Sequence, residues 1–186
     1  MKSQKIIIVE GPQETGKTTL TNYLRENIPG SNLYRLHGQK DKTSSGKILS
    51  EKMYMALMEY LEKMQEIPMD LIFDRTFFTE EIYARLGYKE YRFTDIYEKL
   101  VNRLEKLDSD IYFLVLYLED VKNYEKRLKR EHHNYQSFSV ENSRNQQEKY
   151  LEMAKELEGS KIHVITLAMD DFEKSYKKIN ELFEIK

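Results

Sequence analysis

Cysteine is missing from all 186 residues. Disulfides and thiolate metal sites are therefore excluded, and a reducing cytoplasm is a compatible home. Proline and glycine are sparse, at three and seven residues, so the few places where they fall read as boundaries: Pro29-Gly30, Ile67-Pro68 and Gly159-Ser160. Net charge is nearly absent, with 30 Lys and Arg against 32 Asp and Glu. That balance argues against a broad nucleic-acid-binding face, and no nucleic-acid partner is expected. No apolar run approaches the ~20 residues that a bilayer demands, so no membrane partner is expected. Only Ile6-Ile7-Ile8-Val9 separate the polar start from Glu10, too few for a signal-peptide core, and cytoplasmic localisation is the expectation.

What is present is ordinary for a soluble α/β protein: 40% hydrophobic and 33% charged residues. Strand-like and helix-like segments alternate. The patterning predicts strands over 5–10, 32–37, 69–74, 111–118 and 161–167. It predicts helices over 16–27, 45–65, 79–86, 94–107, 121–132, 141–158 and 171–183, with Asp170 and Asp171 supplying the cap of the last. Alternation with short connections implies βαβ units, one mostly parallel five-stranded sheet, and helices on both faces. The length fits one domain spanning 1–186. In such sheets ligands sit beyond the carboxyl ends of the strands, which nominates Glu10, His37 and Asp74 as site neighbours.

Residues Gly11-Pro12-Gln13-Glu14-Thr15-Gly16-Lys17-Thr18 match G-x-x-x-x-G-K-[ST] at every fixed position. They follow a short β-branched run and lead into a helical pattern, the strand–loop–helix context that the phosphate-binding loop requires. In that motif successive backbone N–H groups form an anion nest, strengthened by the positive end of the helix. Gly11, Glu14, Thr15, Gly16, Lys17, Thr18 and Thr19 are the expected contacts of a nucleotide's phosphates. Lys17 is placed to reach the β- and γ-phosphates, and the Thr18 hydroxyl to join a Mg²⁺ shell.

A second constellation ends the third predicted strand. Met69-Asp70-Leu71-Ile72-Phe73 runs into Asp74-Arg75. Beside a phosphate loop the carboxylate can hold Mg²⁺ or accept a proton, and the arginine can grip a phosphate with both arms. A plain surface ion pair is the alternative. Further along, Lys122, Lys126, Arg127, Lys129 and Arg130 crowd one helix end, ahead of a polar stretch from 134 to 143. A solvated helix is the usual meaning of such a run. Its position after the fourth strand instead suggests a lid over about 122–145, with Arg127 and Arg130 closing on the transferring group. The loop 41–47 either borders an acceptor or is a connection capped by Ser44 or Ser45. Phe77, Phe78 and Tyr83 are candidates for stacking on a base or for packing under a short helix. His37 reads as a packed, hydrogen-bonded residue, and His132 and His133 have no partners spaced for a transition metal.

The stretch from Ile8 through Leu20, with Glu10-Gly11 before the loop, resembles the opening of thymidylate kinases and their deoxynucleoside kinase relatives. Phe73-Asp74-Arg75-Thr76, with Tyr83 eight residues after Arg75, is similar to their Asp-Arg block, in which the arginine holds the acceptor's phosphate. Gln146 through Ala154 resembles the helix that follows their lid. Gln13 stands where thymidylate kinases commonly have an acid, the loop has no arginine, and Leu36-His37-Gly38 stands where nucleoside kinases place a glutamate base. The resemblance implies a three-layer P-loop kinase fold with a helical lid, ATP as donor, and Mg²⁺ as cofactor at Thr18 and Asp74. It implies transfer to a small nucleotide, a thymidylate-like (deoxy)nucleoside monophosphate, with Lys17, Asp74, Arg75, Arg127 and Arg130 as catalytic residues. A deoxynucleoside kinase using Asp74 as base on a 5′-hydroxyl is the alternative. A polynucleotide kinase or a non-catalytic nucleotide-binding module is more distant, and a homodimer is compatible with all of these. A GTPase switch is disfavoured, because neither Asn-Lys-x-Asp nor Asp-x-x-Gly occurs.

Overall fold

The computed structural model describes residues 3–120, 122–129 and 139–185. Five strands, β1 (Lys5–Glu10), β2 (Ser31–Arg35), β3 (Asp70–Asp74), β4 (Asp110–Tyr117) and β5 (His163–Ala168), form one sheet in the order β2-β3-β1-β4-β5. All four pairings are parallel. The helices are α1 (Lys17–Asn27), α2 (Ser44–Met64), α3 (Phe77–Arg85), α4 (Thr94–Glu105), α5 (Lys122–Leu128), α6 (Val140–Glu156) and α7 (Phe172–Phe183).

The period-2 alternation of β1 divides the core. Ile6 and Ile8 face a layer built by α2, α3, α4 and α6, whose buried contributions include Tyr54, Phe78, Leu100 and Met153. Ile7 and Val9 face a layer carrying Leu20 and Leu24 of α1, Tyr124 of α5 and Ile179 of α7. A strand covered on both faces has no polar side to show, which is why β1 reads as an unbroken apolar run. The result is the three-layer α/β architecture expected from the sequence. Because β1 is central, with β2 and β3 to one side of it and β4 and β5 to the other, the carboxyl ends of β1, β3 and β4 enclose the crevice where ligands of such sheets bind.

Boundaries shift at three informative places. β2 ends at Arg35 rather than at residue 37, so Arg35 and not His37 is its terminal side chain, and His37 is exposed. α2 begins one residue earlier than expected, and its N-cap is Thr43 rather than Ser44 or Ser45, with the Thr43 hydroxyl bonded to Asp41 at 2.7 Å. α3 starts at Phe77, burying Phe77 and Phe78 completely, 4.4 Å apart and stacked, so both are packing residues. At the far end Asp171 caps α7 as expected, accepting from Lys174 N at 3.1 Å.

Candidate active site

The loop between β1 and α1 adopts left-handed backbone at Glu14 (φ 64°) and Gly16 (φ 90°), and Gly11 sits at φ 140°. Gly11 is demanded by space as well, because a Cβ there would lie 2.4 Å from the Leu116 carbonyl oxygen of β4. Gly16 caps α1 without a side chain, and the first turn of α1 carries no acid. The orphan N–H groups and the dipole end are therefore left for an anion. Pro12 O, inside the loop, accepts from the Thr15 hydroxyl at 2.9 Å and from Lys17 Nζ. Thr18 and Thr19 are exposed at the loop mouth. Lys17 itself is buried, and that burial, with Arg75's charge behind it, holds its pKa well below the ordinary lysine value; Asp74, Glu10 and Glu14 pull the other way.

Asp74 closes β3 in register with Val9 of β1 and Arg35 of β2. Its Oδ2 accepts from Thr18 Oγ1 at 2.9 Å and lies 3.8 Å from Arg35 Nε. Two oxygen donors thus meet at the loop mouth, which fits a hard cation such as Mg²⁺, usually held through one or two carboxylates plus phosphates and water. Arg35 carries little signal in the sequence. Its one mark is a cation on the last residue of a strand, masked because the strand pattern runs on two residues to His37.

Arg75 is a non-glycine residue at φ 71°, a backbone state that costs on the order of 1–3 kcal/mol. Its own N–H donates to Val9 O at 3.1 Å, and its Nη1 to the Tyr83 hydroxyl at 3.2 Å. Asp74 and Arg75 thus take different hydrogen-bond partners, the carboxylate Thr18 of α1 and the guanidinium Tyr83 of α3, while the charge on Arg75 still reaches Lys17 and Glu10. Tyr83 is here a hydrogen-bond partner rather than a stacking ring.

Glu10 is the other buried acid of the site. It accepts from Thr76 N at 2.7 Å, Thr76 Oγ1 at 3.2 Å, Thr79 Oγ1 at 2.5 Å and the Tyr150 hydroxyl at 3.3 Å. Burial raises its pKa, and the Thr79 hydrogen bond and the charges on Arg75 and Lys17 hold it back. A third acid, Glu80, is wholly buried in an ion pair with Lys89 Nζ at 2.9 Å and accepts from Gln39 N at 3.2 Å. Lys89 also donates to Gln39 O. This pair straps the loop after β2 against α3. Sequence reasoning missed it, because Thr79-Glu80-Glu81 looks like an exposed helix start.

Arg127 lies elsewhere than over Lys17 and Arg75. Its Nη1 donates to Glu14 O at 2.9 Å, its Nη2 to Met169 O at 2.6 Å, and its guanidinium sits 5.2 Å from the Phe172 ring. It bridges the loop rim to the turn between β5 and α7. Arg130, His132, His133 and the middle of the expected lid fall outside the described residues. The base of that segment is tied down by Gln147. Its amide bonds Leu118 in both directions, at 2.9 Å and 3.1 Å, and its Oε1 accepts from the Tyr124 hydroxyl at 2.7 Å.

No protein-family model and no curated protein matches the sequence. The structure does have counterparts. It is similar to the thymidylate kinase of Candida albicans, with a TM-score of 0.68 and 15% identity over 98% of this chain and 93% of that one. It is similar to the deoxyadenosine kinase of M. mycoides, solved with dCMP and dCDP, with a TM-score of 0.62 and 15% identity over 97% of this chain and 100% of that one. The YorR protein of Bacillus subtilis, solved with phosphorylated GDP, aligns with a TM-score of 0.69 and 17% identity over 96% and 95% of the two chains. With its parallel 2-3-1-4-5 sheet and its loop at the carboxyl end of β1, the chain has the P-loop kinase fold shared by thymidylate and deoxynucleoside kinases.

Proposed function

We propose that this protein transfers the γ-phosphoryl group of ATP to a (deoxy)nucleoside monophosphate of thymidylate type. The observation that carries the reading is the end of β3. There Asp74 bonds Thr18 of α1 while Arg75, held in a strained conformation, bonds Tyr83 of α3. A carboxylate for the metal and a cation for the acceptor are thus separated by one peptide. The end of β2 supplies Arg35, a cation, where a hydroxyl acceptor would need a base. A phosphate acceptor is already anionic and needs no strong base. Its natural counterpart is an arginine fork.

In this reading the amides of residues 11–19 and the α1 N-terminus hold the donor phosphates, and Lys17 leaves Pro12 O to follow the transferring charge. Thr18 and Asp74 would hold Mg²⁺, which when bound offsets phosphate charge and aligns the oxygens for in-line transfer. Arg127 and Phe172 frame the donor side of the loop, and Arg130 belongs to a lid over about 122–145 that excludes water. The whole of 1–186 acts as one kinase domain, in a cytoplasmic setting where ATP is plentiful. A homodimer fits the exposed Ile48, Leu49 and Met53 on α2, where a second copy would cover apolar surface. A deoxynucleoside kinase remains the second reading, because the deoxyadenosine kinase counterpart was solved with dCMP as a product.

The test is transfer of label from ATP, with Mg²⁺, to a panel of nucleosides and nucleoside monophosphates. Label in nucleoside diphosphates is the expected result; label only in monophosphates made from nucleosides would replace this reading with the second. Thr18→Ala separates metal from nucleotide at the same site. Its affinity for ATP is expected to fall about tenfold with Mg²⁺ and less than about twofold in EDTA, since a tenfold change corresponds to about 1.4 kcal/mol. Equal losses under both conditions in a binding titration would remove Thr18 from the metal.

A further inference from the structure

Glu10 is fully buried, carries a carboxylate, and has no part in the transfer described above. A buried carboxylate is costly to keep unless its bonds do something specific. Its two oxygens have separate partners. Oε2 takes the hydroxyls of Thr79 and Tyr150, at 2.5 Å and 3.3 Å, which tie α3 and α6 to the end of β1. Burial lifts the Tyr150 pKa well above the ordinary range and the charge on Glu10 adds to it, so Tyr150 keeps its proton and donates. Oε1 takes the Thr76 N–H at 2.7 Å and the Thr76 hydroxyl at 3.2 Å.

The Oε1 bond bears on Arg75. The conformation of a residue is set by the two peptide planes that flank its Cα. The plane before Arg75 is fixed by its own N–H on Val9 O, at 3.1 Å. The plane after it is fixed by the Thr76 N–H on Glu10 Oε1. Consecutive residues of β1 thus pin both planes, and the residue between them is the one held at φ 71°. Without the second pin, Arg75 is free to relax toward ordinary backbone, which swings the guanidinium away from Tyr83 and from the crevice.

We propose that Glu10 is a positioning residue for the acceptor: its Oε1 locks the peptide after Arg75 and so aims the guanidinium at the acceptor's phosphate. The inference rests on the reading of Arg75 as the acceptor's phosphate ligand. What is needed from Glu10 is a hydrogen-bond acceptor at Oε1. A glutamine, which keeps a carbonyl oxygen of the same reach, therefore substitutes for it; a methionine of similar length, which fills the space without a strong acceptor, does not.

The experiment is steady-state kinetics with each substrate varied in turn, on Glu10→Met, Glu10→Gln, Arg75→Ala and the double variants Glu10→Met/Arg75→Ala and Glu10→Gln/Arg75→Ala, with a thermal melt on each. Glu10→Met is expected to raise the acceptor KM about tenfold or more and leave the ATP KM within about threefold, a split that loss of fold alone does not produce. Glu10→Gln is expected to stay within about threefold of wild type for both substrates. In the Arg75→Ala background Glu10→Met should add nothing further to the acceptor KM, because two residues acting through one contact are not additive. If Arg75→Ala raises the acceptor KM and Glu10→Met does not, the inference is overturned while the reading of Arg75 stands. It is overturned equally if Glu10→Gln is as damaging as Glu10→Met, since charge and not the bond is then what matters. If Arg75→Ala leaves the acceptor KM unchanged, the reading beneath falls first and the inference with it. Should Glu10→Met not fold, the glutamine pair decides: an acceptor KM near wild type in Glu10→Gln, and near that of Arg75→Ala in the double variant, supports the inference, and any larger rise overturns it.

Discussion

Lys17→Met is expected to cut kcat by a factor on the order of 10²–10³, the usual loss when a cation on the developing charge of a transferring group is removed. The same substitution is expected to stabilise the ligand-free protein. The ammonium is buried against its own loop, and desolvation, seconded by Arg75, lowers its pKa well below the ordinary 10.5. A lysine whose pKa is lower in the folded than in the unfolded state binds its proton less readily when folded, so folding is opposed wherever the unfolded chain is protonated. That opposition is complete below the folded pKa and fades as pH rises through the window up to about 10.5. Methionine removes it while filling the same space. The thermal midpoint of the variant should exceed that of wild type at neutral pH, by about 2–4 °C for each kcal/mol relieved in a chain of this size. The gap should narrow as the melts are repeated toward pH 10. A folded variant that keeps more than about a tenth of wild-type kcat would remove Lys17 from the chemistry. A variant less stable than wild type at neutral pH would show that the Pro12 hydrogen bond outweighs the desolvation cost.

Much of this site was legible in the sequence because its parts are local. Eight contiguous residues make the loop, and two adjacent residues make the end of β3. The flanking strands announce themselves by β-branched runs that are buried on both faces. The pattern locates β1 and the N-terminus of α4 to the residue, and the N-cap of α7 at Asp171. The parts that escaped are made by distance. Tyr150 meets Glu10 across 140 residues and Arg127 meets the loop across 113. Nothing in the composition of either segment says which way it will turn. Arg127 illustrates this: its chain neighbours include the exposed Lys126 and Lys129, and only the fold reveals that it rests on Glu14 and Met169. Glu80 and Lys89 escaped for a related reason. Either alone, in a helical or loop pattern, reads as surface, and only as a pair can they be buried without prohibitive cost.

Arg75→Ala is expected to raise the acceptor KM at least about tenfold, because a charge-assisted, two-armed hydrogen bond to phosphate is worth about 1.5–3 kcal/mol and every 1.4 kcal/mol is tenfold. The ATP KM should move much less, since the guanidinium hydrogen-bonds Tyr83 of α3 and reaches the loop only through its charge on Lys17. Lysine should recover only part of the loss, because a point charge does not reproduce the planar fork. The fold should gain rather than lose from relief at this position only if the new residue tolerates φ 71°, which alanine does poorly and glycine well. Arg75→Gly is therefore the better partner for a stability control: it should match the alanine variant in acceptor KM while melting higher. The kinetic pattern also separates the two acceptor classes. A nucleoside has no phosphate for Arg75 to hold in the ground state, so its loss would then appear in kcat, through the transferring group alone. An acceptor KM that stays at the wild-type value beside a depressed kcat would move the assignment to a nucleoside kinase. Asp74, freed of a competing role at the metal, would then have to serve as the base.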